Sequence, residues 1–385
     1  MPSFDHDQAL ERLRLAFQEI ITETPIGGCS LAVYQDGRQL LSLHAGAASP
    51  GREWEASTPC LIWSASKGVA AACTLHALRE KGISLEARVS EFWPEFGTQG
   101  KESVTLAELL SHRAGLAAIE PKGLGLSITD HEAVCAALAT QPPNWNLKED
   151  DSNGKFAMHG YGARTFGFLL DEIIRRITGE TLSSYWKRVF QEPLGLDLWF
   201  GLPESYAESL VESAATVIAP KTPPSPGHFS EAFTDPNSLT RRALSEPGGF
   251  LTPSVMNTEA MRRASIPSLG AIATADSLAR FYALLAGDGE GFFQPETLAS
   301  MQATLTKGPD RVLIDKTSFS AGFMTNDYGV YGLGKNSFGH PGAGGSLGFS
   351  DPKLGLGFAF IPSAMHPGAL PGARTQKLVK ALYGS

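Results

Sequence analysis

Ser64-Ala65-Ser66-Lys67-Gly68-Val69-Ala70-Ala71-Ala72-Cys73 decides the reading of this chain. It opens with the pattern S-x-x-K and continues in small and apolar residues, which predicts a helix from Ser64 to about Lys81-Gly82. Residues three apart share a helix face, so the Ser64 hydroxyl and the Lys67 amine are expected side by side. A serine hydroxyl is a poor nucleophile until a neighbouring base takes its proton. A lysine becomes such a base when burial disfavours its charged form. Backbone N–H groups at a helix N-terminus would also face an oxyanion formed there. The stretch therefore points to serine acyl-transfer chemistry.

The pattern recurs elsewhere, for example at Ser184-Tyr185-Trp186-Lys187 and Ser350-Asp351-Pro352-Lys353. Ser184 reads as mid-helix with no start signal, and Ser350 precedes Asp-Pro, a turn dipeptide. Only Ser64 follows a short apolar segment (Cys60-Leu61-Ile62-Trp63) and begins a helix whose next charge after Lys67 is Arg79. A lone lysine at the base of an apolar helix is costly unless paired or functional.

Composition sets the outer limits. At 385 residues the chain can bury a large core, and 42% hydrophobic with 19% charged residues describes a globular protein rather than a disordered one. The formal charge is −8 and no basic cluster stands out, which excludes nucleic acid as a partner. No apolar run is long enough for a membrane span. Met1-Pro2-Ser3-Phe4-Asp5-His6-Asp7 has no apolar core of a secretory signal, so a cytoplasmic location is expected. Cys29, Cys60, Cys73 and Cys135 are scattered and read as isolated buried thiols, none with a histidine at ligand spacing. No metal and no cofactor are expected.

Along the chain, Asp7 to about Thr22 reads as an amphipathic helix, and Cys29–Tyr34 with Leu40–His44 flank the turn Gln35-Asp36-Gly37-Arg38 as a hairpin. Helices are expected over Val104–His112, Ala163–Thr178, Leu182–Phe190, Thr274–Leu285 and Arg374–Tyr383. Residues 118–160 read as mixed helix and loop. Strands are expected at Tyr328–Leu333, Gly345–Ser350 and Gly355–Ile361. Residues 218–266 are proline-rich without periodicity, as lids and binding loops often are. Strands at both ends and helices between give an α+β architecture: an antiparallel sheet flanked by helices from residues 1–80 and 265–385, and a helical lobe from 81–264 that carries the proline-rich lid.

Three features fall in one order: Ser64-x-x-Lys67, Tyr161-Gly162-Ala163 before a helix, and His340-Pro341-Gly342-Ala343 before a strand. In this order the chain resembles the serine β-lactamase and penicillin-binding-protein superfamily. It most resembles the class C branch and, within it, the family VIII carboxylesterases. The segments around Leu109-Leu110-Ser111-His112, Pro193-Leu194-Gly195-Leu196, Gly270–Thr274 and Gly344-Gly345-Ser346-Leu347-Gly348 add to the likeness.

The resemblance implies a β-lactamase-like fold, Ser64 as nucleophile, Lys67 as its base and Tyr161 as a phenol that assists proton transfer. The backbone N–H groups of Ser64 and Ala343 would form the oxyanion hole. His340, Gly342 and Trp63 would line the substrate site. Two departures bear on substrate. Ala163 stands where the family keeps an Asn that binds the amide of β-lactams. His340-Pro341 stands for Lys-Thr, so a constant positive charge for a substrate carboxylate is gone, and a histidine would supply it only below about 6.5.

Both departures turn the expectation from anionic lactams to small or medium neutral esters, cleaved through an acyl-enzyme on Ser64. β-Lactam hydrolysis, D-amino-acid peptidase activity or acyl transfer by the same fold is the alternative. A competing pattern, Gly344-Gly345-Ser346-Leu347-Gly348, reads G-x-S-x-G, but the downstream sequence looks like turn and strand rather than the helix that a nucleophile elbow requires.

Overall fold

The computed structural model describes residues 5–23, 27–148, 158–203, 212–249, 252–287 and 289–384. Part of the mixed 118–160 segment, residues 149–157, lies outside them. Among the described residues twelve strands run β1 (Gly28–Gln35), β2 (Arg38–Ser49), β3 (Arg52–Glu53), β4 (Cys60–Leu61), β5 (Leu198–Phe200), β6 (Ala271–Ala273), β7 (Thr306–Pro309), β8 (Lys316–Phe319), β9 (Met324–Thr325), β10 (Phe338–Pro341), β11 (Leu347–Asp351) and β12 (Leu356–Pro362). Nine of them form one sheet in the order β3-β2-β1-β12-β11-β10-β9-β8-β7, and the other three form a small sheet, β4-β6-β5.

The hairpin β1–β2 forms where the sequence predicts it. Asp36 and Gly37 both take positive φ (48° and 72°), the geometry that lets a two-residue loop follow strand twist. β1 then pairs antiparallel with β12, Leu31 opposite Phe360, which joins the two ends of the chain in one sheet. β1 and β12 are buried on both faces because helices cover each side. On one side α1 (His6–Glu23) buries Ala9, Leu13, Ala16, Phe17 and Ile20 and packs with the Ala373–Tyr383 helix. Each fully buried large apolar side chain there contributes about 1.5–3 kcal/mol.

On the other side lies the Ala275–Ala286 helix, against β1, β11 and β12. Its approach needs the absence of side chains on the sheet. A Cβ at Gly357 would run into the backbone of Ala279 and Ala283, and one at Gly348 into the Tyr282 ring.

Beneath the sheet runs α2 (Ser66–Glu80), buried on every side from Ser66 to Leu75. Its small residues Gly68, Ala70, Ala71 and Ala72 leave room for close neighbours such as α5 (Phe166–Thr178), which packs along it. Before α5 come α3 (Leu106–Leu110) and α4 (His131–Thr140), and after it α6 (Leu182–Trp186), which continues as a π turn to Gln191. Ser184 sits in the first turn of α6 behind the N-cap Thr181, so that copy of S-x-x-K does have a helix start beside it.

One expectation needs correction. Tyr328–Leu333 is no strand. The Asn326 amide donates to the carbonyls of Gly332 (3.0 Å) and Gly334 (2.8 Å) and accepts from Tyr331 N (2.7 Å), which winds the segment into a loop with Gly329 and Gly332 at positive φ. The proline-rich 218–266 segment holds short helices at His228–Thr234, Leu239–Ser245 and Glu259–Arg263.

Gly357→Ala is expected to cost about 1–3 kcal/mol, since the intruding methyl meets helix backbone and not a flexible side chain. Urea unfolding of the wild type and the variant measures it; an unchanged midpoint would show that the helix can move off the sheet at no cost.

Candidate active site

Ser64 lies one turn ahead of α2, in a 3₁₀ turn over Trp63–Ala65, and the helix proper begins at Ser66. The turn is fixed from three directions. The small sheet holds its base, with β4 Leu61 opposite β6 Ile272 and Ile62 N donating to Ala271 O (2.9 Å). The buried Ser66 hydroxyl donates to Trp63 O and accepts from Ala271 N (3.1 Å). The Ser346 hydroxyl donates to Ile62 O (2.7 Å). Trp63 itself is held at φ +51°, a left-handed conformation rare for a large residue. Strain stored directly before a residue that must be presented is typical of functional sites. Trp63 is buried, whereas Ser64 keeps partial exposure.

Lys67 follows one helical turn later and is fully buried. Its Nζ has three oxygen partners: Ser64 Oγ at 3.1 Å, Ala163 O at 2.8 Å and Ser268 O at 2.8 Å. The two carbonyls can only accept, so they take two N–H bonds of a neutral amine and leave its lone pair for the Ser64 hydroxyl. Burial pushes the Lys67 amine well below its usual 10.5, with no carboxylate to counter it.

Tyr161 reaches the same point from the loop before α5. Its phenol is hydrogen-bonded to Ser64, and its ring lies under Lys67 Nζ, 4.8 Å from centroid to nitrogen. Burial raises the Tyr161 phenol above its usual 10, and the Ser64 bond opposes this only in part. The environment thus drives the amine toward its neutral form and keeps the phenol protonated.

The residues that hold Tyr161 and Lys67 are ones the sequence reading did not single out as functional. Asp310 Oδ1 accepts from Tyr161 N (3.1 Å), Val312 N (2.8 Å) and Leu313 N (3.0 Å), while Oδ2 accepts from the Thr317 hydroxyl (3.0 Å). His112, at φ +61°, accepts at Nδ1 from Gly162 N (3.2 Å) and stacks against Phe166 (4.3 Å between ring centroids). Ser268 bonds the start of α5 in both directions, donating to Arg164 O and accepting from Gly167 N at 2.6 Å each. A signal for His112 existed in Ser111-His112-Arg113-Ala114-Gly115-Leu116, where a bulky polar residue sits between an apolar helix and a glycine. Asp310 and Ser268 lie so far along the chain that no local pattern marks them.

The third strip is β10 and the turn after it. Gly342 is pressed against the Ser64 turn: a Cβ there would meet Ile62 O, Ser346 Oγ and Ala65 N. This brings the next residue, the partly exposed Ala343, beside the Ser64 turn. His340 is buried, its Nδ1 2.7 Å from Pro341 O, and its ring lies 5.8 Å from that of Tyr161. Burial first and the nearby Lys67 second lower it to about 3. The cation that the sequence reading allowed His340 below about 6.5 is therefore not available until far lower pH.

The proline-rich segment is tied to this site through Arg164, the residue after Ala163. Its guanidinium donates to the carbonyls of Ser245 (2.9 Å) and Pro247 (2.7 Å).

Fold and site together define a hydrolase of the β-lactamase superfamily. The chain belongs to the Beta-lactamase family, whose profile matches residues 13–382. It is 31% identical over 362 residues to the esterase/beta-lactamase LipL of Mycobacterium tuberculosis, covering 90% of this chain and 79% of that protein. Among solved structures it is similar to a penicillin-binding protein homologue from Caulobacter crescentus (TM-score 0.86, 29% identity) and to a family VIII carboxylesterase (TM-score 0.83, 28% identity). Each of these alignments covers 98% of this chain and 97% of the other. Among the described residues no helix is long and apolar enough to cross a membrane.

The depressed His340 makes a prediction about acid. Its folded value lies below that of the unfolded chain, so the unfolded state binds the proton first. The stability it contributes is complete above about 6.5 and is lost as pH falls toward about 3. His340→Asn removes the titration, so its urea midpoint is expected to fall less than that of the wild type between pH 7 and pH 4. Parallel curves would show that His340 is not buried as a neutral ring.

Proposed function

We propose that the protein is a serine carboxylesterase acting through an acyl-enzyme on Ser64. The observation that carries this reading is the buried Lys67 amine, whose two carbonyl partners leave its lone pair for the Ser64 hydroxyl. Environments that push two neighbouring groups apart in acidity assign the roles of base and acid. Lys67 is lowered and Tyr161 raised, so Lys67 is the base and Tyr161 the proton donor.

Ser64 Oγ attacks the ester carbonyl carbon and its proton passes to Lys67 Nζ. The carbonyl π electrons move onto oxygen, where the N–H groups of Ser64 and Ala343 receive the oxyanion. As the tetrahedral intermediate collapses, the bond to the alcohol oxygen breaks. Tyr161 protonates the leaving oxygen and is reprotonated by the Lys67 ammonium, which restores the neutral amine. Water then attacks the acyl carbonyl, its proton follows the same route in reverse, and Ser64 leaves as the free hydroxyl.

The substrate class follows from what the site lacks. His340 is neutral at working pH and Ala163 has no side-chain amide, so neither a carboxylate nor the amide of a β-lactam finds its partner. Neutral esters of small or medium acyl chains fit this polarity, with Trp63 as an apolar wall, Gly342 leaving backbone room and the 218–266 segment as a lid. β-Lactam ring opening is expected to be the weaker activity.

Hydrolysis of p-nitrophenyl acetate, butyrate and octanoate tests the reading. Ser64→Ala is expected to lose roughly 10³-fold or more in kcat/KM. Ser346→Ala loses only an anchoring bond and keeps most activity. Full activity in folded Ser64→Ala would overturn the mechanism. Tyr161→Phe is expected to lose about 10²–10⁴-fold.

The pH dependence has a definite sign. Activity requires the unprotonated amine, so kcat/KM falls as pH drops through the depressed Lys67 value. No alkaline limb is expected below the free-phenol value of about 10. A kcat/KM that still climbs with pH up to about 10, where a free lysine loses its proton, would remove Lys67 from the role of base.

A further inference from the structure

We propose that His131, Cys135 and Glu172 form a zinc site that pins α4 to α5, outside the hydrolytic site. The sequence reading found no histidine at ligand spacing from a cysteine and expected no metal. His131-Glu132-Ala133-Val134-Cys135 is the exception: on α4 the two residues stand one turn apart on one face. α5 brings Glu172 up to them. One donor atom from each residue lies within 4.8 Å of the other two.

The separations are close to those of side chains that share a metal ion, and the shortest is also hydrogen-bond length. His131 Nε2 lies 3.1 Å from Glu172 Oε2 and 3.4 Å from Cys135 Sγ. Ligands bound to zinc at about 2.0–2.3 Å in a tetrahedron are about 3.3–3.7 Å apart. The Cys135 thiol also has Phe168 O within reach at 3.7 Å, and an ion placed between the three side chains would engage all of them.

The surroundings resemble the outer shell of a zinc site. His131 Nδ1 lies 3.2 Å from Asp171 Oδ2, so a carboxylate faces the ring nitrogen opposite the metal side. Such a carboxylate fixes the ring and strengthens the ligand. Asp171 is buried and anchored, its Oδ1 accepting from Leu182 N (2.6 Å) and its Oδ2 also from Arg175 Nε (3.3 Å). Glu172 Oε1 is held by Arg176 Nε (2.7 Å), which leaves Oε2 turned to the cluster.

Sulfur, imidazole and one carboxylate select zinc over magnesium or calcium, which take oxygen ligands. The His131 and Glu172 side chains are 20% and 14% exposed, enough for an ion and a completing water to enter from solvent. Binding displaces the thiol proton of Cys135 to solvent, while the ring hydrogen of His131 sits on Nδ1 toward Asp171, and no redox step is involved.

The test is titration of the chelator-treated full chain with Co²⁺ in a non-thiol reductant, followed by thiolate-to-cobalt charge-transfer absorption, together with thermal unfolding with and without Zn²⁺. The expected result is a band that saturates at one ion per chain, is absent in Cys135→Ser and needs at least tenfold more Co²⁺ in His131→Gln. Zn²⁺ is expected to raise the melting temperature of the wild type and not that of Cys135→Ser, while ester hydrolysis stays unchanged. The proposal is overturned if no band forms and Zn²⁺ leaves the melting temperature where it was. It is overturned equally if the band persists in Cys135→Ser, which would place the metal on another thiol.

Discussion

A lysine amine with no counter-charge, sealed between Ser64 Oγ and the carbonyls of Ala163 and Ser268, is the constraint on which the rest of the site depends. In water an ammonium is strongly hydrated, and its burial without a carboxylate is costly. Three oxygens at hydrogen-bonding distance lower that cost for either protonation state. Burial decides between the states in favour of the neutral one. The fold supplies the three oxygens from places far apart in the chain. Ser64 comes from the turn before α2, Ala163 from the loop before α5, and Ser268 from the approach to β6.

Much of the architecture is a means of keeping those three places together. The small sheet β4-β6-β5 ties the Ser64 turn to the Ser268 approach, and Ser66 repeats the tie one residue later. Ser268 clamps the first residues of α5. Asp310 gathers Tyr161 with the loop before β8. Ser346 fastens the β10–β11 turn to Ile62, two residues before Ser64. A serine in a G-x-S-x-G pattern therefore works as a strut at this site: its hydroxyl is buried and committed to a carbonyl.

The sheet and its main helices were legible because they obey local rules. Asp36-Gly37 is a turn whatever surrounds it, and the apolar stripe of α1 and the runs at β11 and β12 can be read within a dozen residues. The Ser64–Lys67 pair was legible because both members lie within one helical turn. Tyr161 could be found only through the order of three motifs, since nothing local separates it from a core tyrosine. The short strands β4 to β10 carry two to four residues each, too few for a period to show. Tyr328–Leu333 misled because short apolar runs there are broken by glycine, while the Asn326 side chain, which closes the loop, lies outside the run. Asp310 and Ser268 act through backbone groups of distant residues, and His131–Cys135 gains its third member only when α5 packs beside α4.

The most direct test of the central claim is the rate at which a p-nitrophenyl phosphonate modifies the protein as a function of pH, with the modified serine mapped by peptide mass spectrometry. The account requires one adduct, on Ser64, formed at a rate that levels off well below the free-lysine value of about 10.4. An adduct on Ser346, or a rate on Ser64 that still climbs up to that value, would mean that Lys67 is not the neutral base its surroundings make it.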